Sequence, residues 1–311
     1  MSFLVESLTR SAKIRTMAPM SQSTFLESDL IQMADDELLL KLVSDIRRIR
    51  EDFFLSTKRV PIVAGVTHYT IPERAIGTSF DCLHYVDVNG QICGPALVRI
   101  DVERKGELIR GDSLRKFYIE GDEVVIAEPT ASQGWLEFSY PRKPNRLVAT
   151  SACAKITHIT ENADFIEFDV DTDLTVDLPV GSAVDFLSVR SPFLLWAEDS
   201  VTTGVSSTQI QVARADVVNR AGVIEPKVGD YICPAGHANV PMIPEEFHPV
   251  LAQMVAVRIL ASLGHTEKYN VAKNDLKEVR LEALTLIKNR VSAAPKRPSG
   301  RNGLLAAFNG K

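Results

Sequence analysis

Residues 243–287 of this 311-residue sequence carry its strongest structural pattern: IPEEFHPVLAQMVAVRILASLGHTEKYNVAKNDLKEVRLEALTLI. Apolar side chains recur through it at three- and four-residue steps, which is the period of an amphipathic helix. Pro244 suits a first helical turn, and Gly264 suits the left-handed residue that ends a helix. The stretch therefore predicts a helical hairpin whose second, longer helix begins near Thr266.

The second helix of this hairpin carries a seam of small and apolar residues. The seam steps by four, three, four and three residues along Ala272, Leu276, Val279, Ala283 and Leu286. This spacing places the side chains on one face, where a neighbouring helix can pack. We expect the seam to pack subunits against one another.

A second helical segment lies far away in the sequence, at residues 24–58. Its apolar positions are Leu39, Leu42, Ile46, Ile49 and Phe53. Thr24 and Glu27 have the spacing of a capping box at its start. Because each segment has an apolar face to cover, we expect the two to share one bundle. Residues 1–23 are expected to form an arm that orders on a partner.

Between the helical segments the pattern changes to strands and turns. Residues 59–148 predict a first β block and residues 149–241 a second. The pair Asn89-Gly90 predicts a two-residue hairpin turn. The pattern predicts an α+β fold, in which a discontinuous helical bundle from the N- and C-terminal segments, completed by residues 242–294, carries an inserted antiparallel β domain. That domain is expected to resemble a sandwich or a barrel.

Charge is distributed unevenly along the chain. The net charge of −5 argues against a general nucleic-acid binder, but residues 255–311 carry 11 Lys or Arg against 4 Asp or Glu. Four of these bases are candidates for lining a DNA channel: Lys273, Lys277, Arg280 and Lys288. Contact with phosphate requires charge but no base-reading motif. An ordinary solvated helix face is the alternative interpretation.

Residues 295–311 form a short basic segment with apolar anchors. The candidate docking residues are Lys296, Arg297, Arg301, Leu304, Leu305 and Phe308. A segment of this composition is too short to bury a core of its own, so it is either disordered or docked on a partner.

Signatures of catalysis and of cofactor or metal binding were not found in the sequence. There is no Walker loop, no GxGxxG after a strand, no GxSxG and no HExxH. The run Asp169-Val-Asp171-Thr-Asp173 begins like a calcium loop, but Leu174 and Val180 stand where glycine and glutamate are required. We therefore predict no catalytic residue, no metal ligand and no cofactor.

The cysteines and histidines favour structural roles. Cys82, Cys93, Cys153 and Cys233 are widely spaced and include no CxxC pair. They are expected to be small buried hydrophobes of a reducing compartment. Cys233 and His237 could bind zinc only if the chain doubled back to bring His248 beside them. As a nucleophile pair they would need an orienting third group and a pocket, neither of which the sequence shows.

The order of four stretches resembles the head-to-tail adaptor proteins of tailed bacteriophages, also called connector or head-completion proteins. These stretches are residues 26–54, 64–72 (AGVTHYTIP), 117–147 (FYIEGDEVVIAEPTASQGWLEFSYPRKPNRL) and 243–287. Residues 149–240 are poorly covered and look like an enlargement of the β part. The match lies in the order of the stretches rather than in one motif.

The resemblance implies a non-enzymatic virion protein of the neck, between capsid and tail, that assembles in the host cytoplasm. Copies, commonly twelve, would form a ring beneath the portal protein, extend the DNA channel and offer a platform to a tail hub, nozzle or tail-completion protein. DNA would pass without sequence-specific contact, and residues 295–311 would dock on the portal. No apolar run approaches the roughly 20 residues of a membrane span, so no membrane is expected.

Two other interpretations stay open. The first is a tail-associated β-rich protein that binds a tail tube, a fibre or a host surface. The second is a hydrolase in the second β block, which requires Asp169, Asp171 and Asp185 to converge in one pocket.

Overall fold

The chain has an α+β fold, as the sequence predicts. The computed structural model describes residues 3–17, 24–109, 116–127, 134–176, 178–190, 195–218 and 222–287. One helical bundle carries two β modules. The bundle helices are α1 (Val5–Thr16), α2 (Glu27–Glu37), α3 (Val43–Ile49), α5 (His248–Ser262) and α6 (Thr266–Ile287), while α4 (Arg214–Val217) is a short helix of the second β module.

The bundle core joins the two distant ends of the sequence. Leu30, Leu42 and Ile46 of the first segment are buried in one apolar cluster with Phe247 and Leu251 of the last segment. Helix α5 is central, because α1, α2 and α6 all pack against it. The prediction of one discontinuous bundle is therefore confirmed.

The predicted N-terminal arm is wrong, because residues of this segment form helix α1 and pack on α5. Val5, Leu8 and Ala12 step by three and four residues and are all buried. The Val5 N–H donates to the Asn239 carbonyl at 2.9 Å, which connects the start of α1 to the C-terminal half of the chain. The apolar face of a three-turn helix was therefore overlooked among small and hydroxyl residues.

Helices α2 and α3 form one rod that contains a π-helical turn at Leu38–Leu42. The rod begins with Leu26 as N-cap, and the Asp29 carboxylate accepts a hydrogen bond from the Leu26 N–H at 2.9 Å. The capping box expected at Thr24 is therefore wrong, since Asp29 lies at the right distance along the chain to reach back to the cap. Within this turn Leu38 and Leu42 are buried, whereas Leu40 is 75% exposed.

The first β module is a small sandwich of two sheets. Its strands are β1 (Leu55–Pro61), β2 (His68–Thr70), β3 (Cys82–Val86), β4 (Val98–Arg99), β5 (Lys116–Glu120), β6 (Glu123–Ile126) and β7 (Trp135–Pro141). One sheet has the order β1-β7-β3 and the other β2-β6-β5-β4, in which only the β4-β5 pair is parallel. Leu83, Val124 and Phe138 fill the apolar core between the sheets.

The turn after β3 differs from the predicted two-residue hairpin. Gly90 has a positive φ of 79°, whereas Asn89 does not, so a type I′ turn is not formed. Instead, the Asp87 carboxylate accepts hydrogen bonds from the Asn89 N–H at 2.9 Å and the Gln91 N–H at 2.8 Å. The hydrogen bond from the Gln91 backbone, followed by that from Asn89, lowers the pKa of Asp87.

The second β module is a closed, six-stranded antiparallel barrel. Its strands are β9 (Ala154–Glu161), β10 (Phe165–Val170), β11 (Ala183–Leu187), β12 (Leu195–Val205), β13 (Gln209–Ala213) and β14 (Tyr231–Pro234). Phe168 and Phe186 contact each other inside it, with ring centroids 4.9 Å apart and planes tilted by 50°, and Val184, Val212 and Ile232 are fully buried beside them. The interior is thus a packed core, as expected for a small barrel.

A short parallel ladder forms the neck of the barrel. Strand β8 (Arg146–Leu147) leads into the barrel and pairs with β15 (His237–Ala238), which leads out of it. The Arg146 N–H donates to the Gly236 carbonyl at 2.8 Å and the Val148 N–H to the Ala238 carbonyl at 2.9 Å. The two chain crossings to the barrel are therefore held side by side.

Candidate functional site

The predicted subunit-packing seam of α6 faces the interior of its own chain. Ala272 and Ala283 are buried, and Leu276 and Val279 pack against the bundle core. Leu286 is 57% exposed and lies outside the seam. The prediction that this seam packs subunits together is therefore wrong, because α5 and α3 of the same chain already cover it.

The candidate DNA-channel bases lie on a different face of α6. Lys273 and Lys277 are exposed, and the Lys273 Nζ lies 5.4 Å from the centre of the Tyr269 ring. Arg280 forms an ion pair with the buried Asp45 of α3, which ties α6 to α3. Lys288 lies outside the described residues. Contact of these bases with DNA stays a prediction.

The predicted docking tail also lies outside the described residues, which end at residue 287. Its members are Lys296, Arg297, Arg301, Leu304, Leu305 and Phe308. Docking of this segment stays a prediction.

The carboxylates of the hydrolase interpretation have separate partners. Asp169 accepts a hydrogen bond from the Gln209 side chain at 2.9 Å, and Asp171 accepts one from the Lys155 N–H at 2.8 Å. Asp185 is fully buried on β11, which is not a neighbour of the β10 strand that holds Asp169. The structure does not bring the three together in one pocket.

The most developed polar cluster is the junction between the sandwich and the barrel. Arg74, from the loop after β2, donates to both carboxylate oxygens of Asp185 on β11, at 2.7 and 2.9 Å. Asp185 also accepts hydrogen bonds from the Asn145 side chain at 2.6 Å and the N–H groups of Gly236 and Asp199, each at 3.0 Å. Every donor comes from a different part of the chain, so one carboxylate fixes several segments.

Burial alone would lower the pKa of Arg74, but the hydrogen bonds and charge of Asp185 outweigh it and raise that pKa. Arg74 Nη2 also donates to the Asp199 carboxylate at 2.5 Å. The guanidinium is therefore held between two carboxylates, and it stays charged. This part of the junction is a fixed ion cluster rather than an acid–base pair.

Arg142 and Glu198 extend the junction. Arg142 Nη1 lies 3.6 Å from Glu198 Oε2, and the Tyr140 hydroxyl donates to Glu198 Oε1 at 3.4 Å. Burial, together with the Glu198 charge, raises the pKa of Tyr140 to about 12. Burial lowers the pKa of Arg142, an effect that Glu198 opposes. At neutral pH Tyr140 therefore keeps its proton and donates it in the hydrogen bond to Glu198.

The cysteines differ from their predicted state. Cys153 and Cys233 form a disulfide across 80 residues, with their Cα atoms 4.4 Å apart. Cys82 is half-buried and Cys93 is exposed. The prediction of four buried free thiols is therefore wrong. The disulfide removes Cys233 as a nucleophile or zinc ligand beside His237.

His248 is buried in the first turn of α5, against Phe3, with ring centroids 5.1 Å apart. Burial lowers its pKa from the usual 6.5 to about 4, although hydrogen bonds to the backbone of Ile243 and Pro241 oppose the shift. The ring is neutral in the folded protein above that pH. It is therefore a core histidine of the bundle.

This buried ring predicts a loss of stability in mild acid. As the pH falls from 6.5 to 4, the unfolded chain protonates His248 before the folded chain does. Stability should therefore fall by about 3 kcal/mol across that window, and should be fully restored above it. Urea titrations at several pH values check this against the His248→Gln variant. An identical acid dependence in the two proteins would contradict the assignment.

Two surface grooves flank α1. One, of about 470 Å³, lies between α1 and the start of α5 and is lined by Ser7, Ser11 and His248 among others. The other, of about 500 Å³, lies between the end of α1 and α6. In its floor Arg15 donates to the Gln253 side-chain oxygen at 2.8 Å, and the Gln253 amide donates to the Ala272 carbonyl at 3.1 Å. These floor groups satisfy one another.

Within the described part of the chain, no group of His, Cys, Asp or Glu side chains is arranged to hold a metal ion. Within those same residues, no helix has the length and apolar character to cross a bilayer.

Sequence reasoning missed Arg74 and its pairing with Asp185. An aspartate within the apolar run Ala183–Leu187 was the available signal, since a buried carboxylate requires a partner.

No model of a known protein family matches the chain, and no curated protein matches it either. Its function is therefore inferred from the residues and the architecture.

Proposed function

We propose that the chain is a structural virion protein of a tailed bacteriophage. It is a head-to-tail adaptor that forms a ring beneath the portal, extends the DNA channel and provides the platform to which the tail attaches. In this proposal it works in the neck without catalysis, and packaged DNA passes through the ring without sequence-specific contact.

One architectural observation carries the proposal. The first and last described segments form a single bundle, and the sandwich and the barrel are both inserted between them. Such a chain has a compact helical part for packing beside identical copies and separate β surfaces for other partners. This division fits a protein that connects two assemblies.

The buried polar groups support a structural role. The junction around Asp185 uses its donors and acceptors to hold the sandwich on the barrel, and the Arg280–Asp45 pair holds α6 on α3. Apolar side chains, among them Phe168 and Phe186, pack the interior of the barrel. In this proposal the buried polar groups keep the protein rigid within the virion.

The portal contact is assigned to residues 295–311 in this proposal. Deleting Pro295–Lys311 should abolish co-sedimentation with portal rings of the same virus, because Leu304, Leu305 and Phe308 would bury their side chains there while the arginines meet portal acids. A chain with a scrambled tail of identical composition is the matched control. It keeps the charge of the segment but loses the order of its anchors.

Three outcomes separate the explanations. Loss of binding in both variants supports docking through an ordered motif. Binding that survives only with the scrambled tail indicates attraction by charge. Unchanged binding of the deleted chain overturns the assignment of the tail.

The barrel surface favours a second candidate, a tail-associated protein that binds a tail tube, a fibre or a host surface. Val176, Val180 and Val201 are 91%, 61% and 49% exposed on this module. The Gly181 N–H donates to the Thr202 carbonyl at 2.9 Å, which places Val180 and Val201 on neighbouring chain segments. Exposed apolar side chains that cluster in this way are typical of contact sites. Co-sedimentation of the full chain with tail tubes or fibres, but not with portal rings, would favour this candidate.

A further inference from the structure

Helix α6 presents a row of acidic side chains on its outer surface. The row contains four carboxylates and two apolar residues at steps of four, four, three, four and four: Glu267, Val271, Asp275, Glu278, Glu282 and Leu286. All six residues are exposed. Since residues three and four apart lie on the same face, they form one continuous strip along the helix. Lys268 and Arg15 lie beside its first turn, at the groove between α1 and α6.

A basic row follows another side of the same helix. Lys273, Lys277 and Arg280 step by four and three residues. The two lysines are exposed, and the Arg280 side chain is 38% exposed despite its ion pair with Asp45. Arg48 of α3, three residues after Asp45, is also an exposed base. The two sides of α6 therefore carry opposite charge.

Large apolar side chains are exposed among these charges. Leu281, between the two rows, is 68% exposed, whereas Val271 and Leu286 of the acidic row are 62% and 57% exposed. Exposed apolar groups within a charged frame are typical of protein–protein contacts. The inner face of α6 is already covered by α5 and α3, so this outer surface is the part of the helix that a partner can reach.

We propose that the outer surface of α6 is the contact between neighbouring copies of this chain, with the basic row of one copy against the acidic row of the next. The contact is heterologous, because the two rows differ. Repeated around an axis with a rotation that closes, such a contact generates a ring. The ring geometry rests on the proposed adaptor function, whereas the pairing of the rows does not.

Charge complementarity favours a second copy over DNA as the occupant. If α6 faced DNA, its lysines would attract the phosphates, but the four carboxylates on the adjoining side of the helix would repel them. A second copy satisfies both rows at once. It also covers Leu281, which lies between them.

The experiment reverses one row at a time. Variant A carries Lys273→Glu and Lys277→Glu, and variant B carries Glu278→Lys and Glu282→Lys. Sedimentation velocity of the wild-type chain should show association that rises with protein concentration and falls with salt. Each variant alone should associate more than about tenfold more weakly, because like charges then face each other. An equimolar mixture of A and B should recover association, since each A–B contact is again complementary.

The matched control reverses two exposed lysines of the sandwich module, Lys58→Glu and Lys143→Glu, which should leave association unchanged. Circular dichroism and thermal unfolding verify that every variant is folded. A wild-type chain that stays monomeric up to its solubility limit overturns the proposal, as does a mixture of A and B that fails to recover. Undiminished association of variant A with weakened DNA binding would assign the lysines to DNA instead. Portal co-sedimentation tests the adaptor role separately, so the two proposals can fail independently.

Discussion

Replacing Asp185 with asparagine should lower the free energy of unfolding of the barrel by about 3–5 kcal/mol, the usual effect of removing one partner of a buried ion pair. The side chain is fully buried, and Arg74 is only 15% exposed. The amide would leave the guanidinium without its bidentate partner and would turn a donor toward Asn145 or Gly236. Fluorescence of Trp196 in urea, measured in a Trp135→Phe background, reports the unfolding of the barrel.

Asp199→Asn is the graded control for this experiment. Its carboxylate also meets Arg74, but it is 40% exposed, so its loss should lower stability by no more than about 1 kcal/mol. Equal losses for the two substitutions would show that Asp185 has no special role in holding the modules together. A double variant, Arg74→Met with Asp185→Leu, should recover part of the loss because no buried charge is left unpaired.

Reduction of the Cys153–Cys233 disulfide should destabilise the barrel by about 2–4 kcal/mol, since the bond closes a long loop in the unfolded chain. The two cysteines are 1% and 0% exposed, and they link the first residues of the barrel to its last strand. The same fluorescence titration, with and without a reducing agent, measures the loss. Cys153→Ala should reproduce it without reductant.

The free cysteines supply the control for the disulfide. Cys82→Ser and Cys93→Ser should leave the effect of reduction intact, because neither residue takes part in the bond. Thiol titration of the denatured, unreduced protein should find only these two groups reactive. Four reactive thiols would contradict the bond.

The sequence predicts the elements whose signals are local. Pro244, Gly264 and the apolar period between them predict the hairpin of α5 and α6, and Gly264 does adopt the left-handed conformation with φ of 71°. The same period predicts the apolar face of α2 and α3. In these cases the local signal and the tertiary packing agree.

Contacts between residues far apart in the sequence could not be predicted from local patterns. Arg74 and Asp185 are separated by 111 residues, and the disulfide spans 80, so no spacing rule relates either pair. Turn residues recur at similar intervals in the sandwich and in the barrel, so the sequence left both architectures open for the β part. The seam of α6 was identified as a packing face, but the period of a helix does not say which chain will cover it.

Because both β modules are inserted between the two parts of the bundle, the N-terminal helices are synthesised long before the helices that they pack against. Helices α1 to α3 leave the ribosome roughly 200 residues before α5, whose apolar surface they require. The sandwich and the barrel each have a core of their own and can fold in the meantime. Until α5 is synthesised, the apolar side chains of these helices are exposed to solvent, among them Val5, Leu8, Leu30 and Leu42. Ribosome-associated chaperones are therefore expected to hold the nascent N-terminal helices for much of translation.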